Sequence, residues 1–136
     1  MIAACEHLRD RFLFTLLRSA GLRIGEALGL RHEDISPRRC EISIRSRNNA
    51  NHARAKTSSR VVPVPEHVIS LYADYLHDEY GDLDSDYVFV NLWAQPIGRA
   101  MSYSAVHALV ASLRERTGVM FSSHAFRGSS ILKGQL

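Results

Sequence analysis

An apolar residue at every fourth position near the amino terminus constrains the fold more than any other feature of this sequence. The apolar stripe comprises Leu8, Phe12, Leu13, Leu16, Leu17 and Ala20. This spacing follows the period of an α-helix and predicts a helix with one buried face. Gly21 comes directly after the stripe and predicts the end of the helix. The first element is therefore a helix whose apolar face other elements must cover.

Two further segments predict a second helix and a small antiparallel sheet. The apolar run from Ile24 to Leu30 is typical of a short helix, whereas Glu41–Arg47 alternates with a period of two and predicts a strand. This alternation turns Ile42 and Ile44 toward the core. Arg60–Val64 predicts the returning strand of a hairpin or small meander, and its proline confines that strand to an edge or end of the sheet.

Helical patterns dominate the second half of the chain. Pro65 suits the first position of a helix, and Glu66 is favourable in its first turn. The apolar stripe of this helix comprises Val68, Tyr72, Tyr75, Leu76 and Tyr80. An acidic loop and a short extended run, Tyr87–Val90, follow it.

Two more helices are predicted toward the carboxyl end. Ser102 or Ser104 can cap the first of them, which Gly118 ends, and its inner face comprises Val106, Leu109, Val110 and Leu113. Ser122 or Ser123 can cap the second, which begins at His124. The pattern as a whole predicts a mainly α domain with one small antiparallel β-sheet (α+β), a single domain over residues 1–136.

Composition limits the classes of protein to which the chain can belong. Its 136 residues are 46% hydrophobic and 23% charged, which is an ordinary globular composition with enough residues for one core. No apolar run approaches the roughly 18 residues of a membrane-spanning helix, and the first residues lack a secretory leader. Cys5 and Cys40 have no CxxC spacing and predict neither disulfides nor a metal site. We therefore expect a cytoplasmic protein with no metal and no membrane anchor.

Positive charge is concentrated in the first half of the chain. Residues 1–60 hold 12 basic and 6 acidic side chains, whereas residues 61–136 hold 5 basic and 8 acidic ones. Within residues 38–60, seven basic side chains accompany a single acidic one, Glu41. Such a block predicts a polyanionic partner, with nucleic acid the first candidate. A solvated basic loop without a partner is the alternative, and charge alone favours neither.

Three places hold polar side chains that the predicted fold does not require. Arg23 lies between two predicted helices, and Glu26, three residues on, shares its helical face and could hold its guanidinium group. Lys56 lies at the rim of the predicted hairpin, where most lysines are plain surface. His124 and Arg127 are spaced i, i+3 at a helix start, which suits a phosphate oxygen. Each place also has a purely structural explanation: an ion pair, a surface lysine and two exposed residues.

The three places lie in segments that together resemble the tyrosine recombinase (phage integrase) catalytic domain. Residues 20–35, AGLRIGEALGLRHEDI, resemble the first arginine box of that family. Residues 56–64, KTSSRVVPV, resemble its hairpin lysine segment, and residues 123–127, SHAFR, contain its His-x-x-Arg box. The three segments occur in the order of the family, and the resemblance covers about residues 8 to 127.

The resemblance implies a DNA strand transferase that works through a covalent phosphotyrosine, without metal or nucleotide cofactor. Arg23 and Arg127 would stabilise the nonbridging oxygens of the phosphodiester. Lys56 would be the general acid for the leaving 5′ oxygen, and His124 would assist proton transfer. Glu26 would orient Arg23. The residues implied to contact backbone phosphates of double-stranded DNA are Arg45, Arg47, Arg54 and Arg60.

The carboxyl end departs from the family pattern. Gly128 stands where the family usually has a further histidine, and residues 128–136 contain no tyrosine. All five tyrosines precede the His-x-x-Arg box, and three of them fall on the stripe of one predicted helix. We therefore expect a partial catalytic domain, without the upstream DNA-clamping domain of the family, that has an atypical tail over residues 128–136. We expect it to lack the nucleophile and to be inactive by itself.

Two other functions remain open from the sequence. A non-catalytic DNA-binding or regulatory module derived from an integrase would keep the same phosphate-binding residues. A helical protein-interaction domain would leave the basic hairpin merely solvated, and its binding to duplex DNA would not weaken with salt. If the recombinase interpretation holds, double-stranded DNA and further recombinase protomers are the expected partners.

Overall fold

A three-stranded antiparallel sheet accompanies four α-helices in the part of the chain that a computed structural model describes: residue 2, residues 5–51, residue 53 and residues 59–117. The elements, in chain order, are α1 (Leu8–Ser19), α2 (Ile24–Leu28), a 3-10 turn (His32–Asp34), β1 (Ile35–Ser36), β2 (Glu41–Ile44), β3 (Arg60–Pro63), α3 (Glu66–Tyr75) with a π-helical turn (Leu76–Tyr80), and α4 (Tyr103–Thr117). The predicted mainly α fold with a small antiparallel sheet is confirmed.

Helix α1 is the centre of the core, as its apolar stripe predicts. Phe12 and Leu16 are fully buried, and Phe14 on another face is buried as well, so neighbours cover the helix on more than one side. The Phe12 ring lies 5.4 Å from the Tyr72 ring on α3 and 5.5 Å from the Phe89 ring, centroid to centroid. These contacts join the first helix to the second half of the chain.

The two ends of α1 are stabilised in different ways. Gly21 adopts a left-handed φ of 68°, which lets the Leu22 N–H return to the Leu16 carbonyl and ends the helix where the sequence predicts. At the amino end, the carboxylate of Glu79 accepts the N–H groups of Leu8 and Arg9 at 2.7 and 2.8 Å. This cap comes from the π-helical turn, about 70 residues away along the chain, so local sequence did not predict it.

The sheet has the strand order β1-β2-β3, with both pairs antiparallel. Ile42 and Ile44 are buried, as predicted, and β3 is an edge strand, as its proline requires. Strand β2 ends at Ile44 rather than at Arg47. The two-residue strand β1 was not predicted, because it is too short for an alternation to be visible. The sheet is therefore a small meander from which residues 45–59 extend as the connection between β2 and β3.

The second half agrees with the helical predictions in most details. Helix α3 begins at Glu66, one residue later than predicted, because Pro65 has an extended ψ of 156° and caps the helix instead of entering it. The buried stripe residues of α3 and its π-helical turn are Val68, Tyr72, Tyr75 and Tyr80. The Ser102 hydroxyl accepts the Ala105 N–H at 3.2 Å, so this serine caps α4. Gly118 and the helix predicted to begin at His124 lie outside the described residues.

The run Tyr87–Val90 is extended, as predicted, but forms isolated bridges rather than a strand of the sheet. Val88 donates its N–H to the Leu30 carbonyl, and Met101 donates to the Phe89 carbonyl. Both contacts fix the position of α2 and the start of α4 on opposite sides of the run. No helix in the described part of the chain is long and apolar enough to span a bilayer.

Candidate functional site

Arg23 is the N-cap residue of α2, and its backbone and its side chain have separate roles. It is the residue immediately before the helix, with a non-helical φ of −83° and ψ of 156°. Its backbone N–H donates to Glu26 Oε1 at 2.9 Å. Its side chain is half-buried, and among the described residues its guanidinium group has no hydrogen-bond or ion-pair partner.

Glu26 binds a different arginine from the one that the sequence suggested. The expected partner of its carboxylate was the Arg23 guanidinium, but the guanidinium in contact is that of Arg60 at the start of β3. Arg60 Nη1 lies 2.5 Å from Oε2 and Arg60 Nη2 lies 3.1 Å from Oε1. The Glu26 side chain is 2% exposed. This two-pronged contact matches the geometry of a guanidinium and a carboxylate, and hydrogen bonding to Glu26 raises the pKa of Arg60.

Asp34 repeats this arrangement on the other side of the hairpin. One oxygen of its buried carboxylate accepts the Arg31 backbone N–H at 3.0 Å. Both oxygens accept hydrogen bonds from the Arg47 guanidinium at 2.7 Å, and this hydrogen bonding raises the pKa of Arg47. Arg45 lies farther away, with Nε at 3.5 Å from Asp34 and a side chain that is 53% exposed. The role of Asp34 is not visible in the sequence, because its partner Arg47 lies 13 residues farther along the chain.

These ion pairs neutralise part of the positive charge of the basic block over residues 38–60. The block holds one acidic residue in its own sequence, yet Arg47 and Arg60 are paired with acids that precede it. Three of the arginines expected to contact DNA are described, namely Arg45, Arg47 and Arg60, and Arg45 has the most exposed side chain of the three. Arg38 and Arg39 are exposed at the turn between β1 and β2, at the other end of the sheet.

The connection from β2 toward the hairpin tip is attached to the body of the domain. Asn51 Nδ2 donates to the carbonyls of Leu28 and Met101 at 3.0 and 2.7 Å. Ala53 is fully buried. The polar composition of residues 48–55 indicated only a turn. A sequence does not distinguish an asparagine that stabilises a turn from one that donates to distant main-chain carbonyls.

Four of the predicted site residues lie outside the described residues. They are Lys56, Arg54, His124 and Arg127. Their roles therefore stay predictions, as do the roles of Arg23, Glu26 and Arg45 toward DNA. The described part of the chain also contains no group of three or more His, Cys, Asp or Glu side chains placed to hold a metal ion.

The three stripe tyrosines belong to the core, as their spacing indicated. The Tyr75 and Tyr80 hydroxyls each donate to a main-chain carbonyl, of Val88 and Tyr87 respectively, at 2.6 Å. The Tyr72 hydroxyl lies 2.7 Å from His32 Nδ1. Burial raises the pKa of Tyr72 to about 12 and also raises the pKa values of the other two. Each of these hydroxyls is therefore engaged and hard to ionise.

Comparison with known proteins identifies the family of the chain and several relatives. Residues 1–132 match the phage integrase family. Transposase A from transposon Tn554 of Staphylococcus aureus is 40% identical over 130 residues, which are 93% of this chain and 36% of that protein. The chain thus spans about a third of the length of this relative.

Two solved structures share the fold at low sequence identity. The crystal structure of XerA recombinase superposes with a TM-score of 0.75 at 22% identity, over 98% of this chain and 47% of that one. The Tn1549 transposon integrase in complex with transposon right end DNA superposes with a TM-score of 0.68 at 20% identity, over 89% of this chain and 44% of that one. With nearly its whole length matched by the family and its fold shared with recombinases, the chain belongs to the phage integrase family.

Proposed function

We propose that this chain is the DNA-binding catalytic portion of a tyrosine recombinase, which breaks and rejoins DNA strands through a phosphotyrosine. Arg23 and Arg127 hold the nonbridging oxygens of one scissile phosphodiester, because two planar guanidinium groups suit the charge that develops there. Lys56 protonates the leaving 5′ oxygen, and His124 assists the proton transfer. Double-stranded DNA is the substrate, and other recombinase protomers act with this one.

The guanidinium of Arg23, which has no ion-pair partner in the described part of the chain, carries this proposal. Among the described arginines, Arg9, Arg45, Arg47, Arg60 and Arg116 are in ion pairs. Glu26, the carboxylate nearest to Arg23 in sequence, accepts the Arg23 backbone N–H, and both of its oxygens also accept hydrogen bonds from the Arg60 guanidinium. A half-buried guanidinium with no anionic partner among the described residues is suited to bind a phosphate group.

The relatives support DNA as the substrate class. One of the structures with this fold contains an integrase bound to transposon DNA, and the relative at 40% identity is a transposase. Because those proteins are two to three times as long as this chain, the activity of a whole recombinase is proposed here only for a protein that also contains the tyrosine.

The burial of the tyrosines bears on activity of the chain by itself. Tyr72, Tyr75 and Tyr80 are core residues with engaged hydroxyls, so none of them can reach a phosphodiester. We expect the isolated chain to bind DNA without cutting it. The same observation favours, as a second candidate, a non-catalytic DNA-binding module derived from an integrase.

Binding to a duplex of about 30 base pairs at several salt concentrations tests the proposal. We expect affinity to fall steeply with salt, and Arg23→Gln to reduce the slope of log K against log salt by about one, because one phosphate contact is lost. The matched control is Arg38→Gln, an exposed arginine at the far end of the sheet, which should change the slope less. A slope near zero for the unmodified chain, or an unchanged slope for Arg23→Gln, would contradict the proposal.

A nicked duplex tests the expectation about activity. The isolated chain should leave no denaturant-resistant protein–DNA adduct, because its stripe tyrosines are buried and the segment after the His-x-x-Arg box, where the family has its nucleophile, contains no tyrosine up to residue 136. An adduct that maps to any tyrosine of this chain would show that the nucleophile is present and would refute this part of the proposal.

A further inference from the structure

A cavity of about 450 Å³ lies between the β2–β3 connection and the start of α4. Ala50 and Asn51 form one of its walls, the loop over residues 91–100 forms another, and Ser102 and Ala105 line it from α4. Its volume is in the range of sites that bind small ligands. The sequence does not predict this cavity, because its walls come from segments that are far apart in the chain.

Hydrogen bonds hold the walls of the cavity together. Asn51 Nδ2 donates to the carbonyls of Leu28 and Met101 at 3.0 and 2.7 Å, which joins the first wall to the end of α2 and to the segment before α4. The 91–100 loop is closed at its base, where the Asn91 N–H donates to the Arg99 carbonyl at 2.8 Å. The folded domain therefore forms the cavity without the help of a ligand.

The polar groups that line the cavity suit an anion. None of the described residues that line it is acidic, and Arg99 among them is cationic. Gln95 Oε1 and Ser102 Oγ already accept main-chain N–H groups at 3.4 and 3.2 Å. The Gln95 amide group, the Ser102 O–H and the exposed Arg99 guanidinium donate to none of the described residues. Such a set of donors beside a cation matches the oxygens of a phosphate group.

The cavity adjoins the helix that begins after Arg23. This arginine is the N-cap of α2, and Leu28, the last residue of the helix, shares the Asn51 amide group with Met101. Helix α2 has five residues and is therefore about 7.5 Å long. A DNA strand carries one phosphate per about 3.4 Å of the duplex axis. A duplex bound at Arg23 thus has further phosphates at the distance of the cavity.

We propose that this cavity binds a backbone phosphate of the DNA substrate, other than the phosphate at Arg23, through the Arg99 guanidinium and the Ser102 hydroxyl. This inference rests on the proposed function of the chain. The family resemblance did not include Arg99 among the residues that contact DNA, because this residue lies outside the three motifs. A phosphate contact positions a protein on the duplex without reading its base sequence, so Arg99 contributes to affinity and position.

The salt dependence of binding to a duplex of about 30 base pairs counts such contacts. We expect Arg99→Gln to lower the slope of log K against log salt by about one, and Arg23→Gln with Arg99→Gln to lower it by about two. Arg38→Gln, which removes another exposed arginine at the far end of the sheet, should change the slope less. Equal slopes for Arg99→Gln and Arg38→Gln would overturn the proposal. A double variant that loses only about one would also overturn it, because both arginines would then act at one phosphate.

Filling the cavity distinguishes a phosphate bound inside it from a phosphate attracted by a surface charge. Ala94→Leu and Ala50→Leu each add an apolar group to a different wall and leave the charge unchanged. We expect each to lower the slope by about one, and Ala94→Leu with Arg99→Gln to lower it no further than Arg99→Gln alone, because both remove the same contact. Ala73→Leu, at an exposed alanine of α3, is the matched control and should leave the slope unchanged. An unchanged slope in both filling variants would overturn the proposal.

Circular dichroism verifies the folding of each variant before binding is measured. If Ala94→Leu does not fold, Ala50→Leu alone and in combination with Arg99→Gln provides the result. A slope near zero for the unmodified chain would refute the proposed function and the cavity proposal together. A steep slope that Arg99→Gln and the filling variants leave unchanged would refute the cavity proposal alone, so the two failures are distinguishable.

Discussion

At the scale of single residues, the sequence does not distinguish an arginine whose guanidinium is available from one that is bound to a buried carboxylate. Arg23 keeps its guanidinium unpaired among the described residues, whereas Arg47 and Arg60 bind buried carboxylates. The motif placed Arg23 and Glu26 correctly in one turn. It did not predict which arginine Glu26 would bind, because that choice depends on β3 bringing Arg60 to it from 34 residues away.

His32 provides a residue-scale prediction about pH. Its Nε2 is buried and has no hydrogen-bond partner among the residues that the structure describes, and burial lowers the pKa of His32 below the usual 6.5. The unfolded chain therefore takes up a proton at a higher pH than the folded chain does. We expect the contribution of His32 to reduce the free energy of unfolding as pH falls below about 6.5, by at most about 1.4 kcal/mol per pH unit, and to be absent above it.

Urea denaturation between pH 5 and pH 8 measures this contribution as the difference between the unmodified chain and His32→Gln. The control is His77→Gln at an exposed histidine, whose pKa Asp78 raises. The stabilisation that His77 gives is present below pH 6.5 and disappears as pH rises through its folded pKa, so its effect has the opposite sign. An identical pH dependence for His32→Gln and the unmodified chain would contradict the assignment of His32.

At the scale of elements, periodicity predicted α1, α3, α4 and β2, because each of them buries a face with its own repeat. Strand β3 has no buried residue and was predicted as the returning strand of the hairpin. Periodicity did not predict β1, which has two residues and depends on pairing with β2. It also did not predict which group accepts the free backbone N–H groups at the start of α1. His7, the residue before that helix, makes no side-chain cap, and the acceptor is instead Glu79 in the π-helical turn.

The Glu79 cap leads to an element-scale prediction. Its carboxylate accepts two N–H groups at the positive end of α1 and is 15% exposed. We expect Glu79→Ala to lower the free energy of unfolding by about 1–2 kcal/mol, because both donors lose their acceptor and the helix dipole loses its counter-charge. Urea denaturation with an unchanged m-value is the measurement.

Glu66→Ala is the matched control for this prediction, since Glu66 is an exposed glutamate in the first turn of α3. Its removal should cost no more than about 0.5 kcal/mol. Equal losses for the two substitutions would mean that the contacts of Glu79 with α1 contribute nothing specific.

At the scale of the whole molecule, packing of α1 against α3 forms the core from which α2 and the hairpin present their polar side chains. The order of three motifs was enough to predict the family, because the chemistry requires cationic residues from separate elements. Their convergence could not be derived from spacing, since it depends on how α2, the hairpin and the residues beyond α4 are placed in three dimensions. The described residues provide two parts of this arrangement: the position of Arg23 and the attachment of the hairpin.

A double-mutant cycle on DNA affinity tests most directly whether Arg23 and Arg127 act on the same phosphodiester. The dissociation constant for one duplex is measured at fixed salt for the unmodified chain, Arg23→Gln, Arg127→Gln and the double variant, with an Arg23→Gln and Arg38→Gln cycle as the control. Two guanidinium groups on one phosphate should show a coupling of at least about 0.5 kcal/mol, whereas distant residues should be additive. Additive effects of Arg23→Gln and Arg127→Gln, equal to those of the control cycle, would contradict the recombinase account.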